Sequence, residues 1–277
     1  MHSNASDGQL PPEALPELCA QNGVKLMSLT DHDTMAGTKA AEAAAKRLGI
    51  AFIPGIEFST LWGGTGIHVV GLGLDPDSPG IAGFVAGTQM KRVERGRAMD
   101  ENFARVGIHG ALEGALHYAE NSTSLSRTHF ALWLLEKGHV KNYQEAFDKY
   151  LKPGRPGYAR VEWPATVDAV RFIREEGGVA VLAHPGRYEF SADWMSDQLL
   201  EDFKAAGGEA IEVTSGSQSR ATDIIFAQKA RDMGFLASTG SDWHSPRSAR
   251  PSPGMQPALP KDLTPVWVKF GYPRDMD

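Results

Sequence analysis

Short aliphatic runs rich in β-branched residues recur along this chain, and each passes through polar punctuation into a stretch of helical period. The runs are residues 24–30 (VKLMSLT), 51–58 (AFIPGIEF), 67–74 (IHVVGLGL), 178–183 (GVAVLA), 209–214 (EAIEVT) and 235–240 (FLASTG). Helical spacing covers about Thr34 to Leu48, alanine-rich and stopped by Gly49, and roughly 166–176, 194–206 and 218–233. The last two run into glycines suited to close a helix. Strands alternating with helices predict an α/β fold with parallel pairing, as a doubly wound sheet or a barrel. The exception is 56–74, where Gly63-Gly64-Thr65-Gly66 is short enough for an antiparallel hairpin.

Residues 87–157 break the alternation. They hold several helical patterns and no strand, and end in Lys152-Pro153-Gly154-Arg155-Pro156-Gly157-Tyr158, a stretch that reads as a linker back into the main fold. The expected division is therefore 1–86 as the first part of the α/β fold, 87–157 as a helical insert over it, and 158–277 as its second part. After Ser245 the sequence turns proline-rich, as an irregular surface segment does.

Polar residues fall at informative places in this pattern. Thr30 is followed by Asp31-His32-Asp33, Glu57 stands near the end of the second run, 178–183 leads into His184-Pro185-Gly186-Arg187, and 235–240 into Ser241-Asp242-Trp243-His244. In parallel α/β barrels the C-terminal strand ends converge on one face, so residues far apart in sequence would line one pocket. Imidazole nitrogen with carboxylate oxygen is the ligand set of borderline divalent ions such as zinc and manganese. A carboxylate such as Glu57 can bridge two ions. The one cysteine, Cys19, rules out an internal disulfide and sits in a helical pattern as a buried apolar residue, so a reducing, cytoplasmic setting is expected. No apolar stretch approaches the about 18 residues of a membrane span. The net charge of −6 argues against a basic face for duplex DNA, while a short nucleotide or strand end stays compatible, since bound cations would offset part of the charge.

The sequence His2-Ser3-Asn4-Ala5-Ser6-Asp7-Gly8 resembles the first motif of the polymerase and histidinol phosphatase (PHP) superfamily, in which a strand ends in an Asp-x-His-x-His-Ser run. Later motifs of that family match Thr30-Asp31-His32-Asp33, Gly55-Ile56-Glu57, His68, Ala183-His184-Pro185 and Gly240-Ser241-Asp242-Trp243-His244, in family order over nearly the whole chain. Ser126-Arg127-Thr128-His129-Phe130 and the Lys152–Tyr158 stretch resemble the branch acting on AMP and 3′,5′-nucleoside bisphosphates, with its related ribonuclease AM-type exonucleases. The resemblance implies a distorted seven-stranded (β/α) barrel and two or three divalent ions, manganese or zinc, with magnesium or iron as further options. By resemblance, His2, Glu57 and Asp242 share one ion with a histidine not present here, Asp7, His32 and His244 hold another, and Glu57, His129 and His184 a third. His68 is a ligand or a neighbour of one; in a simple hairpin register it lies opposite roughly Leu61. The first strand and first His of the motif would precede Met1. Either residues upstream restore them, or the site is damaged.

The insert is expected to lower Arg127 and His129 over the metals, Arg127 gripping phosphate oxygens as a fork. Arg187, Lys152 and Arg155 are further phosphate candidates, and Tyr158 and Trp163 either stack on a base or pack as core. His109, His117 and His139 fit no motif and read as structural or exposed. The implied reaction is hydrolysis of a phosphate monoester on a nucleotide or of a 5′-phosphorylated RNA end, with His32 or Asp242 serving the leaving oxygen. Two rivals stay open: a small-metabolite phosphatase of the histidinol phosphate type, and a metal-poor PHP-like binding module.

Overall fold

The computed structural model describes residues 1–246 and 250–276. Its elements in chain order are α1 (Leu15–Gln21), β1 (Leu26–Met27), α2 (Thr38–Arg47), β2 (Ala51–Phe52), β3 (Gly55–Trp62), β4 (Thr65–Leu72), α3 (Pro79–Arg105), α4 (Ala111–Leu116), α5 (Arg127–Glu136), α6 (Tyr143–Ala146), α7 (Thr166–Glu175), β5 (Val179–Leu182), α8 (Trp194–Ala205), β6 (Ala210–Ser215), α9 (Arg220–Met233) and β7 (Leu236–Gly240). Every aliphatic run became strand, in a mixed α/β fold. The run at 51–58 is split, because Pro54 carries no N–H for a ladder.

The strands form a two-stranded sheet, β1-β2, and a five-stranded sheet in the order β3-β4-β5-β6-β7. Pairing is less uniformly parallel than alternation predicts: β5-β6 and β6-β7 are parallel, but β4 runs antiparallel to both β3 and β5. The cause is the hairpin. Trp62 pairs with Thr65 across Gly63 and Gly64, whose φ angles of 55° and 81° suit the tight two-residue turn that only glycine adopts without strain. A loop of two residues rather than four shifts the register, so that His68 lies opposite Ser59 rather than Leu61. Ser59 and Glu57 share a face of β3, which turns His68 toward Glu57.

A bridge between His32 and Glu57 links the two-stranded sheet to β3. Among the described residues no ladder joins β1 to β7, which leaves a seam between them. The ladder of β1 is to β2 and that of β7 to β6. Between β1 and β7 lies a cavity of about 390 Å³ lined by Leu26, Ser28, Leu72, Val181, Ser238 and Met1, among others. At its upper end the N-terminal residues bond to both sides: Thr30 N–H donates to Met1 O at 3.2 Å and His2 N–H to Trp243 O at 2.9 Å.

Helices α7, α8 and α9 cover the outside of the sheet. Phe58, Ile173, Leu200, Phe203 and Ile211 are fully buried between them. A second core, built on Met99, Phe103, Phe130, Leu134 and Leu151, lies among α3, α5 and the segment after α6. Helix α3 joins the two, packing Ile81 in the first core and Met99 and Phe103 in the second. It starts at Pro79, capped by Ser78, whose hydroxyl accepts from Gly80 N–H at 3.1 Å. Helix α2 begins at Thr38 instead of Thr34, since the Thr34 hydroxyl takes Ala36 N–H in a local turn. Cys19 is buried in α1, and His109, His117 and His139 are exposed. No helix among the described residues is long and apolar enough to cross a membrane.

Candidate metal centre

Three non-glycine residues among those described hold a left-handed backbone: Asp33 at φ 52°, His184 at 31° and Asp242 at 47°. All stand where the chain leaves a strand at one end of the sheet. Strain of this kind persists where the surroundings enforce it, and it clusters at working sites. Backbone pairing enforces it at Asp33, whose N–H donates to Glu57 O at 3.0 Å, while Glu57 N–H donates to Asp31 O at 3.1 Å. At His184 the backbone N–H donates to the buried Glu212 carboxylate at 2.7 Å.

The N-terminal loop is clamped from below. Asp31, 1% exposed, accepts from Ser3 N–H at 2.7 Å, Ser3 Oγ at 2.6 Å and Ser6 Oγ at 2.5 Å. The loop closes so tightly that a Cβ on Gly8 would come within 2.2 Å of His2 O. His2 and Asp7 thereby enter a cluster with residues more than two hundred positions away.

Glu57 is the hub of that cluster. Its Oε2 lies 3.0 Å from His2 Nε2 and 3.8 Å from His32 Nδ1, and its Oε1 lies 3.0 Å from His68 Nδ1 and 3.1 Å from His184 Nε2. Each oxygen therefore faces its own pair of imidazoles, which is the arrangement of a bridging carboxylate. His2 also approaches Asp242 Oδ1 at 3.3 Å, and His244 Nε2 approaches Asp7 Oδ1 at 3.4 Å. The His2 ring stacks between His32 and His244, with centroids 4.4 and 4.1 Å away.

Donor atoms lie close enough to hold a cation in three groups: His2, Asp7, His32 and His244; His32, Glu57 and His68; and His2, Glu57 and Asp242. The third and most of the first are the sets the resemblance implies. The second differs. Glu57 is accompanied by His32 and His68, and both His184 and His129 stand outside the three groups, although His184 Nε2 lies 3.1 Å from Glu57 Oε1; His129 Nδ1 accepts from Ser126 N–H at 3.1 Å. His129 is 3% exposed, and burial, partly countered by Asp7, pushes its pKa down to about 4. It is thus neutral, with Nε2 unclaimed by the cap.

The donor chemistry fits metal ions. Among the described residues, His2 Nδ1, Asp7 Oδ1, His32 Nδ1 and His184 Nδ1 are buried without a hydrogen-bond partner, a costly state for polar atoms unless something else engages them. The electrostatics agree. Burial alone would lower the His2 pKa, but the carboxylates of Asp242 and Glu57 push it up to about 9. Burial and the neighbouring imidazoles His2 and His68 hold His32 well below its ordinary value despite Glu57. Burial alone would raise Glu57, Asp7 and Asp242; His32 and His68 hold Glu57 well below the usual carboxylate range, His244 does so for Asp7, and Arg250 for Asp242. Of the two residues expected to serve the leaving oxygen, Asp242 is therefore an ionised acceptor, and His32 is neutral.

The phosphate candidates separate. Arg187 Nη1 lies 2.5 Å from Asp242 Oδ2, at the edge of the cluster. Arg127 heads α5, with Nη1 donating to Leu151 O at 3.4 Å, and Thr128 beside it donates to Asp7 Oδ2 at 2.9 Å. Lys152 instead pairs with Asp148 at 2.8 Å on an exposed turn, and Arg155 is exposed beside it. Trp163 packs as a platform for cations, with the guanidiniums of Arg92 and Arg95 at 5.4 and 5.3 Å from its ring.

Several residues of the site are absent from the sequence reading. Arg95 donates to Leu125 O at 3.2 Å, and burial together with Arg92 and Arg127 pushes its pKa down to about 9. Arg92 is buried against Asp33, and Tyr188 accepts from His68 N–H at 2.9 Å while donating to Ala183 O at 2.9 Å. A signal for Arg92 existed. It lies on the α3 stripe Thr88, Arg92, Gly96, Met99, Phe103, which is otherwise uncharged and wholly buried.

The PHP domain family model matches residues 1–153, over half of the chain. A 3′,5′-nucleoside bisphosphate phosphatase of Chromobacterium violaceum is 42% identical over 96% of this chain and 93% of its own length. The chain belongs to the PHP family. A second PHP-type relative in sequence, the 5′-3′ exoribonuclease Rnm of Escherichia coli, is 37% identical over 99% of this chain and 93% of its own. Among solved structures, an amidohydrolase of C. violaceum with bound sulfate and no metal superposes with a TM-score of 0.92 at 41% identity, covering 98% of this chain and 94% of that one. A phosphoesterase structure from Bifidobacterium adolescentis shares the fold at a TM-score of 0.82 and 24% identity, over 98% and 92% of the chains. The family match ends before His184, Asp242 and His244, which the fold nevertheless brings to the residues inside it.

Proposed function

We propose that this PHP-family chain is a metal-dependent hydrolase of phosphate esters on a nucleotide or at an RNA end, holding two or three divalent cations through His2, Asp7, His32, Glu57, His68, His184, Asp242 and His244. The observation that carries the reading is Glu57, with a separate pair of imidazoles on each oxygen. The relatives' names, a nucleoside bisphosphate phosphatase and 5′-3′ exoribonucleases, support the substrate class. When bound, divalent cations at such a site offset charge at phosphorus and lower the pKa of water.

The chain's own contribution is grip and orientation. Arg95 and Arg127 have no carboxylate partner among the described residues, and each is disfavoured by burial and by the nearby Arg92. An anionic group between them relieves that repulsion, as a phosphate does with arginine forks. Arg187 is a second phosphate contact once Asp242 is engaged by a cation. Thr128 and Ser126 fix Arg127 and His129 over Asp7. With His32 held neutral and Asp242 ionised, neither carries a proton for the leaving oxygen, so both serve in this reading as ligands. Lys152 and Arg155, exposed just after the Leu151 carbonyl that Arg127 reaches, suit a longer, RNA-like substrate. The division at residues 87 and 157, with the insert as lid, goes with this reading.

Metal-stripped protein supplied with Mn²⁺ or Zn²⁺ is expected to release phosphate or nucleotide from at least one of AMP, a 3′,5′-bisphosphate and 5′-phosphorylated short RNA. Silence on all three, or less than one ion bound per chain, rejects the reading. Faster turnover of histidinol phosphate favours the small-metabolite rival.

The seam supports the seven-stranded PHP barrel as the complete form, with one further strand between β1 and β7 entering at Met1. Ser28 Oγ, buried in that seam without a partner, fits a neighbouring strand. A short apolar extension before Met1 should slow amide exchange across Leu236–Gly240. Unchanged exchange there excludes the strand.

A further inference from the structure

Arg92 reaches from the insert into the metal-binding edge of the sheet. It is 4% exposed on α3 and faces Asp33, which is fully buried. Its Nε donates to Asp33 Oδ2 at 2.8 Å, its Nη2 reaches the same oxygen and Ser59 Oγ at 3.0 Å, and its Nη1 reaches Leu125 O at 3.5 Å. Trp163 lies under the guanidinium, 5.4 Å from its carbon. Asp33 completes the tie on the barrel side, accepting Ser59 N–H at 2.8 Å with its other oxygen.

Both ends of this tie lead directly to the candidate centre. On one side Asp33 follows His32, and its own N–H is bonded to Glu57 O at 3.0 Å. On the other, Leu125 precedes Ser126, the cap of the helix that begins with Arg127 and carries His129. A buried ion pair adds little net stability compared with apolar packing, because desolvation offsets the attraction. What the planar guanidinium adds is geometry: several donors at fixed angles, which an ammonium cannot reproduce.

We infer that Arg92 is a positioning residue, which sets the placement of the Arg127–His129 turn relative to His32 and Glu57 by bonding both at once. The inference rests on the phosphate-gripping role proposed for Arg127. It assigns Arg92 no contact with substrate, so its effect must pass through Arg127.

The test is a double-mutant cycle of Arg92→Lys and Arg127→Lys in the Mn²⁺-supplied enzyme, with a 3′,5′-bisphosphate and AMP as substrates. Arg92→Lys keeps the charge opposite Asp33 and loses the fork. It should lower kcat/KM by about 10- to 100-fold, mostly through KM, as displacement of a positioning group does. In the Arg127→Lys background the same change should cost less than about threefold, because interacting residues are not additive. Amide exchange on the metal-free protein supplies a second readout. Ser126–Phe130 should exchange faster in Arg92→Lys while Val179–Leu182 keeps its protection. Additive losses, or faster exchange spread evenly over both segments with a lowered Tm, overturn the inference and reduce Arg92 to a general structural role. If the unmodified enzyme is inert toward every phosphate ester, the proposed function fails by itself, and the exchange comparison still decides for or against Arg92.

Discussion

Replacing Glu57 with alanine should remove most bound metal and lower phosphate release by about a thousandfold or more, the loss expected when several kcal/mol of metal-supplied charge stabilisation disappears. The expectation follows from the sharing of its two oxygens. Oε2 serves His2 and His32, and Oε1 serves His68 and His184, at 3.0 to 3.8 Å. Losing an end ligand would weaken one ion, whereas losing the shared carboxylate weakens two neighbouring groups together. Glu57→Asp discriminates further, because it keeps the charge and withdraws both oxygens by one methylene; an intermediate loss is expected. The checks are metal content after dialysis and initial rates of phosphate release with Mn²⁺ added. Full metal content in Glu57→Ala with activity within tenfold of the parent would show that the cations are held elsewhere.

The residues that gather here were legible in sequence for a simple reason: histidine and carboxylate are unusual beside buried strands, and strands are visible in hydropathy. His32, His184, Asp242 and His244 follow strands, Glu57 lies inside β3 as its third residue, and the fold gathers them. His68 was harder, because its face depends on the register of a hairpin. Reading Gly63–Gly66 as a four-residue loop moves it two places from its true partner, Ser59. The role of His129 was obscured differently. A histidine at the third position of a helix can cap its own N-terminus, and here His129 Nδ1 accepts Ser126 N–H, which leaves Nε2 for any further partner. Supporting residues are the least visible. Asp31 and Asp33 flank His32, and both turn away from the cluster into hydrogen bonds with serines and an arginine. The partner of Asp33 lies 59 positions later on another element, a distance over which local pattern carries no information. In the fold itself, the direction of β4 against β5 was missed because alternation of strands and helices says nothing about a crossover that spans the whole insert.

Asp31 carries the second large effect, and there the choice of replacement decides the outcome. Its carboxylate is 1% exposed and takes three hydrogen bonds from Ser3 and Ser6, which hold the loop bearing His2 and Asp7. Burial raises its pKa, more than the serines and His2 lower it. A carboxyl group with a raised pKa contributes most below its unfolded value, and that contribution is lost as pH rises through the folded value. Holding Asp31 ionised therefore carries a cost, and a neutral group of the same shape avoids it. Asp31→Asn keeps one oxygen for Ser3 N–H and Ser6 Oγ and presents an amide donor to Ser3 Oγ. It should keep stability within about 1 kcal/mol of the parent and retain metal, since removing a charge without orphaning its partners is nearly neutral. Asp31→Ala leaves Ser3 N–H and both hydroxyls buried without an acceptor. It should cost about 2–4 kcal/mol, from orphaned groups at about 1–3 kcal/mol each with partial relaxation. The loop then loosens, and His2 and Asp7 lose their approach to Glu57 and His244, so activity should fall by at least about a hundredfold, as misplacement of positioned groups does. Denaturant midpoints, metal content and phosphate release on the two variants check this. Equal losses in Asp31→Asn and Asp31→Ala would mean that the charge itself, acting on His2, and not the clamp on the loop, is what the centre requires.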